Sequence, residues 1–208
     1  MKEELDHIRD IAEIRSMMER SSKFLSLSGW AGVLAGIYAL TGAWLAYKVF
    51  HFNPDEIVYN FSTSENLPSE LWKVILIAIV VLVLALGTAI FLSNKKAVKK
   101  GEKLWNSTTR RVLTNMAIPL ITGGILILIL ISKGLNGLIA PCTLLFYGLA
   151  IFNLSKFTYD EVKTLGLIEI ALGLFSAYFI GYGLLCWAIG FGIVHIMYGI
   201  YIHYKYER

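Results

Sequence analysis

The chain alternates long apolar runs with short polar breaks. Six runs stand out, at 27–50, 71–93, 112–132, 137–154, 165–184 and 187–203. Their lengths cluster near the roughly 20 residues that a helix rising about 1.5 Å per residue needs to cross about 30 Å of hydrocarbon. Acyl chains offer no partner to backbone N–H and C=O groups, so each run has to satisfy its own as a helix. The third and fourth runs are separated by SKGLNG, and the fifth and sixth by the neighbourhood of GYGLLCW. Glycine in both breaks predicts tight hairpins rather than continuous rods. The expected fold is all-α, a polytopic bundle of six transmembrane helices.

Residues 1–25 follow a different pattern. Leu5, Ile8, Ile11, Ile14, Met17 and Met18 recur at helical intervals between charges, and Arg9/Glu13 and Arg15/Glu19 are spaced to pair along one face. This predicts a cytoplasmic amphipathic helix ahead of a membrane domain at 26–208. Five basic residues there face six acids, a balance that suits packing against protein better than adhesion to anionic lipid. Covering the bundle's own cytoplasmic face is the plainer alternative. The segment lacks the apolar stretch of a cleavable leader, so the first span is expected to act as an uncleaved signal.

Composition agrees with this layout, at 56% hydrophobic and only 16% charged residues. The net charge of +4 sits at the ends of apolar runs and orients the chain, so nucleic acid is not an expected partner. Sixteen of the 19 Lys and Arg residues fall on the side of the two termini, against Lys48, Lys73 and Lys133 on the other. The longest loop of that other side, HFNPDEIVYNFSTSENLPSE, has four acids and no Lys or Arg. Both termini are therefore expected in the cytoplasm. Trp30, Trp105, Tyr159, Tyr204 and Tyr206 mark one interface, and Trp44, Tyr47, Trp72, Tyr182 and Trp187 the other.

The stretch SNKKAVKKGEKLWNSTTRR reads first as a topology signal. Its sharper reading is a contact for anionic lipid or phosphate: Lys96, Lys99, Lys100 and Lys103 share a face if the second helix continues, and Arg110 and Arg111 follow. Within the runs, ionisable groups are few, and such groups are functional candidates because charge in hydrocarbon is expensive. Glu169 lies on a stripe with Gly166, Gly173 and Ser176, and His195 with Gly192 and Gly199. Each is expected to face a neighbouring helix, where the two form either a hydrogen-bonded proton-sharing pair or simple interhelical glue. Gly29, Gly32 and Gly36, the ladder Gly173, Ala177 and Gly181, and Gly192 with Gly199 are the expected close-packing positions. They serve the bundle itself or, as a second choice, a homo-oligomer.

Pro119 and Pro141 mark places where a helix is able to kink. Cys142 and Cys186 form no CxxC motif and read as free thiols or, less favourably, a disulfide. FYGLAI at 146–151 echoes MYGIYI at 197–202. No metal-ligand spacing, dinucleotide fingerprint or catalytic triad is present, so neither a cofactor nor enzymatic activity is expected.

The run MMERSSKFLSLSGWAGVLAGIYALTGAWLAY, Met17 to Tyr47, resembles the start of multi-pass membrane proteins of bacterial genomes whose function is unknown. The resemblance implies a bacterial cytoplasmic membrane and the same six-helix layout. It transfers no activity and no site residues. The sequence thus leads first to a non-catalytic, partner-binding or signalling membrane component. Its partners are the bilayer and a protein held by the N-terminal helix. The second reading is a small channel or proton-linked transporter using Glu169 and His195.

Overall fold

The computed structural model describes residues 28–49, 69–99, 101 and 105–208, and every regular element among them is helical. Six long helices run in alternating directions. They are α1 (Gly29–Lys48), α2 (Ser69–Lys99), α3 (Ser107–Ser132), α4 (Ile139–Leu154), α5 (Glu161–Tyr178) and α6, which covers 183–206. Helix α6 is composite: an α-helical turn Gly183–Trp187, a π-helical stretch Ala188–Val194, and a regular helix His195–Tyr206. Five segments are long and apolar enough to cross a membrane: Gly29–Lys48, Trp72–Lys99, Ser107–Ser132, Asn136–Phe157 and Ile180–Tyr206. Helix α5, at 18 residues, carries Glu161, Lys163 and Glu169 and falls outside that set.

Local chemistry sets the helix ends. Asn106 caps α3, its side-chain oxygen accepting from the Thr109 N–H at 2.8 Å. Helix α3 stops at Gly134, whose φ of 71° belongs to the left-handed region. The N–H of Gly134 donates to Ile131 O and that of Leu135 to Leu130 O, which closes the last carbonyls. Pro141 falls in the first turn of α4, where a missing N–H costs nothing, so it starts a helix rather than kinking one. The last hairpin turns at Ile180–Tyr182, earlier than the expected break near residue 185. Helix α5 ends at Tyr178, so Gly181 is exposed in the turn and does not extend the stripe of Gly173 and Ala177.

Glycine against glycine holds the bundle together. Gly29, Gly32 and Gly36 of α1 lie against Gly192, His195, Gly199 and His203 of α6. A Cβ on Gly199 would stand 2.5 Å from Gly29 O and 2.6 Å from Val33 N, and one on Gly36 2.6 Å from Gly192 O. On the other side of the bundle Gly148 of α4 meets Gly166 and Ile170 of α5, and Gly173 meets Leu145 and Pro141. Two stripes picked out separately in the sequence, on the first helix and the last, are thus each other's partners. Between lipid-solvated helices, where the hydrophobic effect gives no preference, such close approach gains dispersion contacts unavailable to larger residues. Helix α2 sits at the periphery, with Leu76, Ile79, Val83, Leu86, Ile90 and Phe91 exposed along its length.

Filling the closest contact should separate α1 from α6. Gly199→Val forces a methyl-bearing carbon into backbone atoms, and overpacking of this kind costs about 1–3 kcal/mol. Gly87→Ala and Gly124→Ala, whose added carbons would meet nothing within 4 Å, should leave stability unchanged. Thermal unfolding in detergent distinguishes the three, and equal transitions would remove the glycine contact from the account.

Candidate functional site

The centre of the bundle holds one acid. Glu169, on the α5 stripe that also carries Gly166, Gly173 and Ser176, is fully buried at 0% exposure. Opposite it the π-helical stretch of α6 presents Gly190. A Cβ there would fall 2.5 Å from Glu169 Oε2 and 2.8 Å from Leu144 Cδ2, so the absence of a side chain is what admits the carboxyl group. An i→i+5 turn displaces the backbone from the regular ladder, and such turns recur where a helix has to offer its main chain to a site.

His195, the first residue after the π stretch, completes the arrangement. Its Nδ1 lies 2.8 Å from Gly190 O and 3.3 Å from Glu169 Oε1, and its Nε2 lies 2.8 Å from the Tyr147 hydroxyl. A carbonyl oxygen only accepts, so Nδ1 carries a hydrogen. In the neutral ring Nε2 then accepts from the Tyr147 O–H, and in the imidazolium it donates to the Tyr147 oxygen. Phe191 flanks both rings, at 4.9 Å from Tyr147 and 5.8 Å from His195. Because the Nδ1–H is directed at Gly190 O, Glu169 gains the proximity of the ring without a proper hydrogen bond. Neither carboxyl oxygen has another partner. Neutral acid beside neutral imidazole, and carboxylate beside imidazolium, differ here by the position of one proton.

Further polar groups extend from this centre. Tyr147 is within electrostatic range of Glu169 and of Tyr198, and Tyr198, whose hydroxyl is buried without a partner, is within range of Glu161, Tyr159 and Tyr206. Tyr206 donates to Glu161 at 3.0 Å, Lys205 also pairs with Glu161, and Tyr206 stacks on Tyr159 at 4.1 Å. In the other direction, the hydroxyl of Ser176 is buried and unpartnered on the Glu169 stripe. The structure therefore brings together Glu169 and His195 and adds Tyr147, Gly190 and Tyr198, which charge-based reading of the sequence passes over. The one available signal was the FYGLAI and MYGIYI echo, whose matched tyrosines are Tyr147 and Tyr198.

The described basic residues are placed differently from one another. Lys96 donates to Glu207 at 2.9 Å and lies 5.8 Å from the centre of the Tyr159 ring, so it turns toward the end of α6 instead of sharing a free lipid-facing surface. Lys99 is exposed, and Arg110 and Arg111 are exposed on an open depression of about 570 Å³ beside Trp105. Lys100, Lys103 and the N-terminal helix of residues 1–25 lie outside the described residues. Cys142 and Cys186 are both free thiols. Among the described residues no group of three His, Cys, Asp or Glu is placed to hold a metal ion.

Glu207 ties three elements together, accepting from Lys96 of α2, from the Gly29 N–H that opens α1 at 2.9 Å, and from His203 Nδ1 at 2.7 Å. Partial burial pushes this carboxyl up, but the hydrogen bonds from His203, Lys96 and Gly29 outweigh it and hold it down at about 2, from an ordinary 4.5. A depressed acid stabilises the fold above its unfolded pKa and ceases to as pH falls toward its folded one. Melting temperature should therefore be flat from about pH 8 to 5 with respect to this group and fall between about 4.5 and 2. Glu207→Gln should lower the melting temperature at pH 7 and flatten its acid dependence. Parallel acid profiles for the two proteins would exclude the clamp.

Comparison with known protein families, with curated proteins and with solved structures gives no match to the chain, so the chemistry of the site carries the functional reading.

Proposed function

We propose that the chain is a multi-pass membrane protein that moves protons through its bundle as a small channel or proton-linked transporter, with Glu169 and His195 as its proton-binding groups, His195 gaining and losing its second proton at Nε2 on the Tyr147 side while Nδ1 keeps its hydrogen. The observation that carries this is the fully buried Glu169, left with only the Nδ1 of His195 3.3 Å from its Oε1. An acid kept in such a place without satisfying partners is expensive, and in membrane proteins that expense marks proton and ion pathways. Histidine suits the partner role because its unperturbed titration falls near neutral pH, at about 6.5. Tyr147 relays between the ring and Tyr198, and the cluster of Glu161, Lys205 and Tyr206 forms the mouth at the end of the bundle near the C-terminus.

In this reading α5 also crosses the bilayer, which gives six spans. The Lys and Arg distribution supports cytoplasmic termini, and the resemblance at 17–47 supports a bacterial cytoplasmic membrane. Helix α5 is then the charged span among apolar neighbours, its Glu169 sheltered from lipid by α4 and by the π stretch of α6. A non-catalytic, partner-binding role draws instead on residues 1–25, and nothing in the described geometry favours it over proton movement.

Proteoliposomes enclosing a pH-sensitive dye provide the test. With a potassium-diffusion potential imposed, the wild-type chain should acidify or alkalinise the lumen at least tenfold faster than empty vesicles. Glu169→Gln and His195→Ala should return the rate to the empty-vesicle level while keeping a cooperative thermal transition. Tyr147→Phe should reduce it severalfold. Rates equal to those of empty vesicles in the wild type, or undiminished in Glu169→Gln, would overturn the reading.

A further inference from the structure

The two glycine seams of the bundle are one seam built twice. A Cβ on Gly166 of α5 would meet Gly148 O and the N and Cα of Phe152 on α4, and one on Gly29 of α1 would meet Gly199 O and the N and Cα of His203 on α6. A Cβ on Gly173 would meet Pro141 O and Leu145 N, and one on Gly36 would meet Gly192 O and Ile196 N. In the reverse direction Gly148 meets Gly166 O and Ile170 N, while Gly199 meets Gly29 O and Val33 N. At each of these contacts the same atoms meet at the same steps along each helix, so α5 lies on α4 as α1 lies on α6. The sequences follow the contacts: FYGLAI at 146–151 matches MYGIYI at 197–202, and Gly166, Ile170 and Gly173 match Gly29, Val33 and Gly36. The pairs depart from each other at the buried polar centre, where Glu169 stands in the place of Gly32 and His195 in the place of Leu144.

We propose that the chain is a carrier rather than a channel: α4 with α5 and α1 with α6 are two rigid bodies that rock against each other, so that Glu169 on one and His195 on the other are reached from one side of the membrane at a time. What is carried rests on the proton reading above; the motion does not. Within each body main chain touches main chain, which leaves no slack. Across the interface the glycines of α6 meet side chains instead, Gly190 those of Glu169 and Leu144, and Gly183 the Cβ of Ala140. Packed helices slide where side chains meet side chains. Equivalent residues also face each other there, Ile151 and Ile202 sharing one cluster with Val162 and Leu165, as two copies related by a two-fold rotation do. That cluster fills the interface at the Glu207 end, while a cavity of about 130 Å³ parts α4 from α1 and α2 at the other. Closure at one end only is the form of a rocking pair in one of its two states. The bonds from Tyr147 to His195 and from Lys205 to Glu161 cross the interface and are the ones the motion has to break. In transporters built from parallel repeats the site lies at the repeat interface and access alternates in this manner.

Two measurements on the full-length chain, with Cys142 and Cys186 changed to alanine, test this. Ala140→Cys with Gly183→Cys sets a disulfide across the interface, at a Cβ separation of 3.6 Å that suits the bond. Oxidation should bring proton flux in proteoliposomes down to the empty-vesicle level, and reduction should restore it. Flux that persists once the bond has formed would mean a fixed channel and would overturn the proposal. Nitroxide labels supply the second measurement, by double electron–electron resonance. Ile37→Cys with Leu174→Cys, exposed equivalents on α1 and α5, reports the distance between the bodies, and Leu149→Cys with Leu174→Cys, exposed on α4 and α5, the distance within one. The first pair should give two distances whose proportions change in Glu169→Gln, and the second a single distance that does not. A single, unchanged distance between the bodies overturns the proposal whatever the flux. Two distances in a chain that moves no protons would leave the two-body motion standing and remove the proton reading instead.

Discussion

The backbone contact between α1 and α6 is the constraint from which the rest of the arrangement follows. These are the first and last described helices, and nothing in the order of the chain brings them together. Gly29, Gly32 and Gly36 on one and Gly192 and Gly199 on the other do so, because only glycine lets two helices approach until one main chain touches the next. Once that seam is made, the rotation of α6 about its axis is fixed. Gly192 then faces Leu40 of α1 while Gly190, two residues earlier, turns to the opposite side and meets Glu169. Residues two apart on a helix point to nearly opposite sides, so one stretch, Ala188–Val194, serves both contacts. The glycines near it are therefore of two kinds: one closes the bundle and the other opens a place for an acid.

That acid explains why the interior is not simply apolar. A bundle stabilised by close packing would gain from leucine at position 169, since burying a carboxyl group without a full set of partners works against stability. The surroundings do not remove that cost. His195 directs its Nδ1–H to Gly190 O, and the hydroxyls of Tyr198 and Ser176 stay unpaired. An interhelical fastener would show the reverse, with every donor matched to an acceptor. Groups left partly unsatisfied suit the proposed relay better than a fastener.

The sequence carried more of the scaffold than of the site. Spans were readable because hydrocarbon enforces a run length, and the glycine stripes because helix contacts recur at fixed intervals. The pairing of the Gly29 and Gly199 stripes was not readable, since periodicity tells which face packs but not against what. Glu169 and His195 announced themselves as charges within apolar runs. Tyr147 and Tyr198 did not, because a tyrosine in a membrane segment is ordinary until its hydroxyl is placed. The last turn was placed too late, beyond the observed Ile180–Tyr182, and the ladder was carried one step too far to Gly181. An unbroken apolar run from Leu165 to His203 leaves only glycines as punctuation, and Gly181 serves as a turn residue where spacing alone makes it a packing residue.

The two ends of the bundle are built on different principles, and this bears on where it is able to move. At one end Glu207, Lys96, His203 and the Gly29 N–H join α1, α2 and α6, and Lys205 with Tyr206 joins α6 to α5 through Glu161. Directional bonds of this kind fix both distance and angle. At the other end α1, α2, α4 and α6 are lined by alanine and glycine around a cavity. Contacts between small apolar groups have little directional preference, and the cavity supplies volume into which a helix end can tilt. Glu169 and His195, on different helices between the Glu207 clamp and the cavity, are placed where a small tilt changes the 3.3 Å that separates them.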